Sequence, residues 1–283
     1  RPVRLGRPAR VAERAAALGV ELAGVEVLDP AADEARRERY ARELYRRRQR
    51  KGLTLAEARE RMRRPIYYAC MMLAEGDADG VVAGEDASYP ETIRPALETV
   101  GVAPEVRHVA GLYLMILPND LLFFADTTVN IDPDEETLAE IALLAAGFVE
   151  RLGIEPRVAF LSFSNFGSSR HPEADRVRRA VERVQRLAPG LVVDGEMQAD
   201  TAVVPELLRE LHPFSRLRER ANVLIFPNLD AANIAYKLLA RLGGAEAVGP
   251  ILLGMAKPVH VLQRGSTAAD IVNLTAIAVV DAQ

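Results

Sequence analysis

Two cations, Lys257 and Arg264, bracket the apolar run Val259–Leu262, and each has a glycine close by, Gly254 and Gly265. Such glycines let a ligand approach the backbone. Two positive side chains at the ends of a short strand suit a phosphate or a carboxylate; two solvated surface charges are the alternative. Asp230, Asn233 and Ser266 stand in the same stretch, near predicted strand ends or helix starts, where α/β sheets collect ligands. Upstream, the Ser- and Gly-rich loop from Ser162 to Ser169 joins a predicted strand to a predicted helix. Its amides and hydroxyls could cradle an anion. It has neither Gly-Lys-Ser/Thr nor a dinucleotide fingerprint, so an ordinary connecting loop stays open. Asp194, Glu196 and Asp200 are three acids within seven residues, either a Mg²⁺ set or a solvated loop. Arg94 sits early in a predicted helix, where the helix dipole disfavours a cation; it is a surface arginine or one aimed at an anion. The four histidines, His108, His171, His212 and His260, show no zinc spacing, and there is no nucleophile elbow. The reading is no metal site.

These residues must be positioned by strands and helices. From 153 to 244 the pattern alternates strand and helix, as a mostly parallel sheet covered on both faces requires. Arg157–Phe163, Leu191–Val193 and Val223–Phe226 are the expected strands, with Asp194 to Asp200 as a loop. After Pro227, Ile234, Leu238 and Leu242 recur at helical spacing until Gly243-Gly244. Val109–Leu117 and Leu121–Ala125 flank Pro118-Asn119-Asp120 and read as a hairpin. Asp132-Pro133-Asp134-Glu135 starts a helix, and Thr54 with Glu57 forms a capping box. Arginines from 36 to 50 and 59 to 64 alternate with glutamates, the pattern of a salt-bridged, solvated face. Cys70, Met71 and Met72 belong to an apolar helix.

The chain has 283 residues, 49% of them hydrophobic, near the size at which one core becomes two. A net charge of −4 argues against a nucleic-acid partner. No run is long enough to span a membrane. A single cysteine excludes an intrachain disulfide, so a cytoplasmic location is expected. The chain starts at Arg1 without methionine and reads as part of something longer.

Several longer pieces, YRRRQRKGLTLAEA, DADGVVAG, ETIRPAL, LLFFADTTVNIDP, FLSFSNFGSS, DGEMQADTAV and RGSTAADIVNLTAIAVV, together resemble the phosphate acetyltransferase (phosphotransacetylase) family over nearly the whole chain. FSNFGSS, DGEM, PNLDAANIAYKL, GMAKPVHVL and NLTAIAVVDAQ resemble most its branch at the C-terminus of bacterial NADP-dependent malic enzymes. The resemblance implies a two-lobed α/β/α fold of the isocitrate/isopropylmalate dehydrogenase type, with mostly parallel sheets and a hairpin-like insertion. One lobe would join 1–105 to 252–283; the other would be 106–251. Family members move an acetyl group between coenzyme A and phosphate. Their phosphate- and CoA-binding arginines match Arg48, Arg94 and Arg264, and their aspartate matches Asp270. Their thiol-assisting serine matches Gln263, and a carboxamide lacks that hydroxyl. Phe166 stands where the family loop carries a cation. The expectation is therefore a degenerate transferase site (Gln263, Arg264, Asp270) in a regulatory and oligomerisation domain of NADP-dependent malic enzyme. It would bind acetyl-CoA as an allosteric inhibitor through Arg48, Arg94, Asn165, Asp230, Asn233, Tyr236, Lys257 and Arg264. NADP and Mg²⁺ or Mn²⁺ would belong to the parent enzyme's N-terminal part. Its partners would be those malic enzyme domains and further copies of itself, from a dimer to a hexamer. A working phosphate acetyltransferase and a ligand-free assembly domain are the alternatives.

Overall fold

The apolar runs on either side of Pro118-Asn119 pair with each other, and their hairpin becomes the middle of a sheet. The computed structural model describes residues 1–84, 89–263 and 265–283, with the backbone alone at 89 and 90. The chain opens with β1 (Val3–Leu5), α1 (Pro8–Leu18), β2 (Glu26–Leu28) and α2 (Glu34–Arg48). Next come α3 (Leu55–Arg61), α4 (Pro65–Glu75), β3 (Val81–Ala83) and α5 (Tyr89–Thr99). The hairpin β4 (Ala110–Leu117) and β5 (Asp120–Ala125) leads to α6 (Glu135–Arg151), β6 (Arg157–Leu161), α7 (Pro172–Leu187) and β7 (Val192–Met197). Helices α8 (Ala199–Val203) and α9 (Pro205–Leu211) precede β8 (Val223–Ile225) and α10 (Leu229–Leu242). The chain closes with β9 (Glu246–Leu253), β10 (Val259–Val261) and α11 (Ala268–Asp281).

The main sheet has six strands in the order β7-β6-β8-β5-β4-β9. Strand β4 runs antiparallel to both β5 and β9, while the β5–β8, β8–β6 and β6–β7 pairs are parallel. Every strand except β4 therefore points the same way, and the loops after them open on one edge. Both faces are covered, which is why these strands read as nearly continuous apolar runs. Leu112, Phe123 and Phe160 pack beneath α6 and α7; Tyr113, Met115, Leu122 and Phe124 face α8, α9 and α10. A second, two-stranded parallel sheet pairs β10 with β3. Cys70, Leu73, Ala96 and Val259 pack around it, and Tyr40, Leu44, Met62, Tyr68 and Met71 form the core of α2 to α4. Burial pushes the Cys70 thiol up to about 12, leaving it an inert core residue.

The expected isocitrate/isopropylmalate dehydrogenase-like architecture, with the hairpin as an insertion, is corrected by this topology. The hairpin is no insertion: β4 bonds to strands on both sides, because alternate residues bury on opposite faces and each face needs a cover of helices. Two boundaries also move. Strand β6 ends at Leu161, and β7 extends through Asp194 to Met197, a segment that its acids and glycine suggested was loop. The Arg- and Glu-rich α2 does carry a solvated lattice, with Arg42–Glu38 at 2.9 Å, Arg46–Glu43 at 2.7 Å and Arg47–Glu43 at 2.8 Å. Among the described residues no helix is long and apolar enough to cross a membrane.

One buried group gives the fold a pH dependence. His260 on β10 is fully buried, neither ring nitrogen has a hydrogen-bond partner, and Asp281 lies 4.0 Å away. Desolvation lowers its pKa from 6.5 to about 4, against the opposing pull of Asp281. An unfolded imidazole thus takes up its proton near neutrality, while the folded one stays neutral until about pH 4. The unfolded chain holds more protons in that window, so stability falls as pH drops from 6.5 to about 4. The expected loss is on the order of 3 kcal/mol. Urea unfolding at pH 7.5 and 4.5 measures it; His260→Met should flatten the slope, and an unchanged slope would rule His260 out as its source.

Candidate active site

Two elements that carry candidate residues meet near the strand ends, α10 and the loop between β10 and α11. Helix α10 starts where β8 ends; Asn228 caps it by accepting from Ala231 N at 3.0 Å. Asp230 is then an exposed first-turn acid. One turn further in, Asn233 Nδ2 donates to Thr127 O at 3.5 Å, tying α10 to the end of β5. Tyr236 lies deeper, 4% exposed and stacked on Tyr113 with ring centroids 4.2 Å apart and planes 15° apart. Its hydroxyl accepts from Gln263 Nε2 at 3.4 Å, which brings α10 to the loop after β10.

That loop leads into α11. Gln263 N donates to Ser266 Oγ at 3.1 Å, and Ser266 Oγ donates to Gln263 O at 2.8 Å. Thr267 caps α11, and Asp270 completes a capping box by accepting from Thr267 N at 2.7 Å and Thr267 Oγ1 at 2.9 Å. Asp270 therefore has a structural task at the helix start. Arg264 lies outside the described residues. Arg94 is on the exposed side of α5, which packs against β10, and makes no ion pair with a described residue. Arg48, at the end of α2, reaches Glu98 at 3.6 Å. Glu98 is shared with Arg61 and with Tyr67, whose hydroxyl donates to it at 2.6 Å.

Two expected site residues are occupied elsewhere. Lys257 Nζ donates to Leu73 O at 2.8 Å, a carbonyl in the last turn of α4, where a cation is favoured. Asn165 is bound to Gln198: its Oδ1 accepts from Gln198 N at 2.8 Å, and its Nδ2 donates to Gln198 Oε1 at 3.3 Å.

The loop from Ser162 to Ser169 is not an open anion cradle, because most of its amides are bound within the loop or to β7. Ser162 N donates to Met197 O at 2.8 Å, Phe166 N to Glu196 O at 2.8 Å, and Ser168 N to Asn165 O at 2.9 Å. Asn165 N donates to Ser168 Oγ at 3.0 Å and Ser169 N to Ser164 Oγ at 3.1 Å. Glu196 is the hub. Its fully buried carboxylate accepts from Ser164 Oγ at 2.9 Å, Gly167 N at 2.7 Å and Arg178 Nε at 3.1 Å. Gly195 makes this possible: at φ 140° any Cβ would lie 2.7 Å from Phe160 O. Phe166, at φ 46°, is half-buried against the core beneath α8 to α10, with its ring against His212 and Phe214. Asp194 is spent too, accepting from Ser215 Oγ at 2.8 Å and Arg216 N at 2.7 Å. Sequence reasoning missed Glu196 and Arg178 as partners; a buried carboxylate and an arginine on a separate helix leave no local spacing signal.

Gln263 and Asp270 thus stand at the end of β10 and the start of α11, while Arg48 and Arg94 lie on α2 and α5. The chain belongs to the phosphate acetyl/butaryl transferase family, whose model matches residues 1–279. A phosphate acetyltransferase of Clostridium acetobutylicum is 40% identical over 288 residues, covering 99% of this chain and 86% of that protein. The EutD phosphotransacetylase from Staphylococcus aureus superposes with a TM-score of 0.91 at 35% identity, covering 100% of this chain and 86% of that one. The fold is thus that of the phosphotransacetylases, in place of the dehydrogenase-like label. The NADP-dependent malic enzyme of Escherichia coli is also 40% identical, but the match takes up only 38% of that protein. These matches overturn the expectation of a non-catalytic malic enzyme fragment, and with it the oxidoreductase and NADP assignments. That expectation drew on shared motifs and on the missing serine at Gln263, and standalone transferases carry the same fold at equal identity.

Proposed function

We propose that this chain is a phosphate acetyltransferase, moving an acetyl group between the sulfur of coenzyme A and inorganic phosphate. The observation that carries this reading is the match to a standalone phosphate acetyltransferase over 99% of the chain. In the transfer, the thiol sulfur attacks the carbonyl carbon of acetyl phosphate. The S–C bond forms, the C–O bond to phosphate breaks, and the thiol proton leaves with the phosphate. Arg48, Arg94 and Arg264 would neutralise the phosphates of both substrates. Acetyl-CoA enters this reading as substrate rather than effector, held in a cleft between 1–105 with 252–283 on one side and 106–251 on the other. The cytoplasm, where coenzyme A and reduced thiols coexist, is the proposed compartment. The test is thiol release from acetyl-CoA on addition of phosphate, with acetyl phosphate trapped as its hydroxamate. A folded protein that yields neither product would refute the reading.

We also propose a homo-oligomer. The apolar stripe of α10 that helical spacing would send to the core faces outward: Ile234, Leu238 and Leu242 are 58%, 52% and 83% exposed. Val272 and Val279 of α11 are exposed as well. Exposed apolar residues repeated along two helices support a covered interface. Light scattering should find at least twice the chain mass of 31.0 kDa, and Leu238→Glu with Leu242→Glu should return it to the monomer. A monomeric wild type would end this proposal.

A further inference from the structure

Helix α6 carries a glycine that the helix itself does not require. Gly147 lies inside α6, where glycine is less stable than alanine, and its φ is not positive. A Cβ there would have room, since the nearest atom it would meet is Arg151 Nη1 at 3.9 Å. Leu143, Gly147 and Arg151 follow one another at helical spacing on one face, and that face lines a cavity of about 350 Å³. Its other walls are the segments 103–106 and 252–258 and the end of α11 at Asp281. We propose that this cavity binds a small aliphatic carboxylate, its head between Lys257 and Arg151 and its chain over Gly147. The 14 residues of α11 place it about 20 Å from the loop that carries Gln263. The inference does not rest on the transferase reading above.

The charges around the cavity select an anion. Lys257 is half-buried and makes no ion pair with a described residue. It spends one N–H on Leu73 O at 2.8 Å, which leaves two of its three donors. Arg151 grips Asp281 Oδ1 through Nε at 3.0 Å and Nη2 at 2.8 Å. The acid in the wall is therefore already answered. Nη1 of Arg151 stands beside the gap at Gly147 and makes no hydrogen bond with a described residue. The remaining acid, Glu105, is exposed, and water and salt screen its charge. An ammonium and a free guanidinium nitrogen suit a carboxylate. Leu143, Leu144 and Met255 offer apolar wall to a short chain. The walls are also preformed. The segment between β9 and β10 is bound to the one after α5, with Ala103 N donating to Gly254 O and Ala256 N to Gly101 O, both at 3.0 Å.

Titration of hexanoate into the full chain tests this, followed by ligand-observed NMR with sodium chloride holding the ionic strength constant. A Kd on the order of 1 mM is expected for a ligand of that size. Gly147→Leu fills the gap with a good helix former, so binding should be lost while the unfolding midpoint holds or rises. Lys257→Met should weaken binding about tenfold, the loss of a charged hydrogen bond. Hexylammonium, the same chain with the opposite charge, should not bind. Saturating acetyl-CoA should leave the hexanoate affinity unchanged, which separates this cavity from any cleft that holds coenzyme A. Wild-type protein that ignores hexanoate would overturn the inference. So would binding that survives Gly147→Leu or is indifferent to Lys257→Met. Binding of hexylammonium in its place would overturn the ligand class, and displacement by acetyl-CoA would overturn the separate site. The readout is binding and not turnover, so a chain without transferase activity would leave this inference standing.

Discussion

Glu196→Ala should lower the stability of the folded chain by about 3–5 kcal/mol, the usual consequence of leaving one half of a buried ion pair behind. The carboxylate is fully buried and holds three donors from two elements: Ser164 and Gly167 of the loop after β6, and Arg178 of α7. Its hydrogen bond is the first cause of the raised Arg178 pKa. Alanine would strand all three donors, and buried donors without partners carry their full desolvation cost. Because Arg178 is 37% exposed, water can recover part of its loss, which favours the lower end of the range. Glu196→Gln keeps an acceptor oxygen for Gly167 and should cost less, roughly 1–2 kcal/mol. Denaturant titration resolves the two. If Glu196→Ala matched wild type, the loop would owe its shape to the Phe166, His212 and Phe214 rings instead.

Arg94→Ala should leave stability within about 0.5 kcal/mol but reduce kcat/KM for acetyl transfer by roughly 100-fold. The side chain is exposed and makes no ion pair with a described residue, so the fold gains little from it. Its place in the second turn of α5 is mildly unfavourable for a cation. An exposed arginine on a helix packed against β10 is well suited to act on a substrate anion. Arg94→Lys keeps the charge but not the planar fork and should recover only part of the rate. The deciding measurement is kcat/KM for phosphate at low and high salt. An Arg94→Ala enzyme with wild-type kinetics would place this arginine on the surface and nothing more.

Much of the local structure was legible because it depends on near neighbours. The Thr54 and Glu57 capping box, the hairpin around Pro118-Asn119 and the strand–helix alternation after Gly153 all form as their patterns imply. The basic run of α2 is the expected lattice of exposed ion pairs. The candidate site was legible in part. Gln263 and Tyr236 do meet, yet Lys257 caps α4 and Asn165 binds Gln198. Short loops show which residue types are near a strand end, but not which donors their own backbone consumes.

The sequence by itself determined the family, through motifs spread over the chain, and the elements, through caps and apolar periodicity. Only the tertiary structure decided three things. It turned the 162–169 loop from an anion cradle into a closed network around Glu196, since a carboxylate 32 residues away supplies the acceptor. It placed the hairpin inside the sheet, since strand order depends on which faces the helices cover. It left Ile234, Leu238 and Leu242 in the open, since periodicity shows that a helix has an apolar face but not what that face meets.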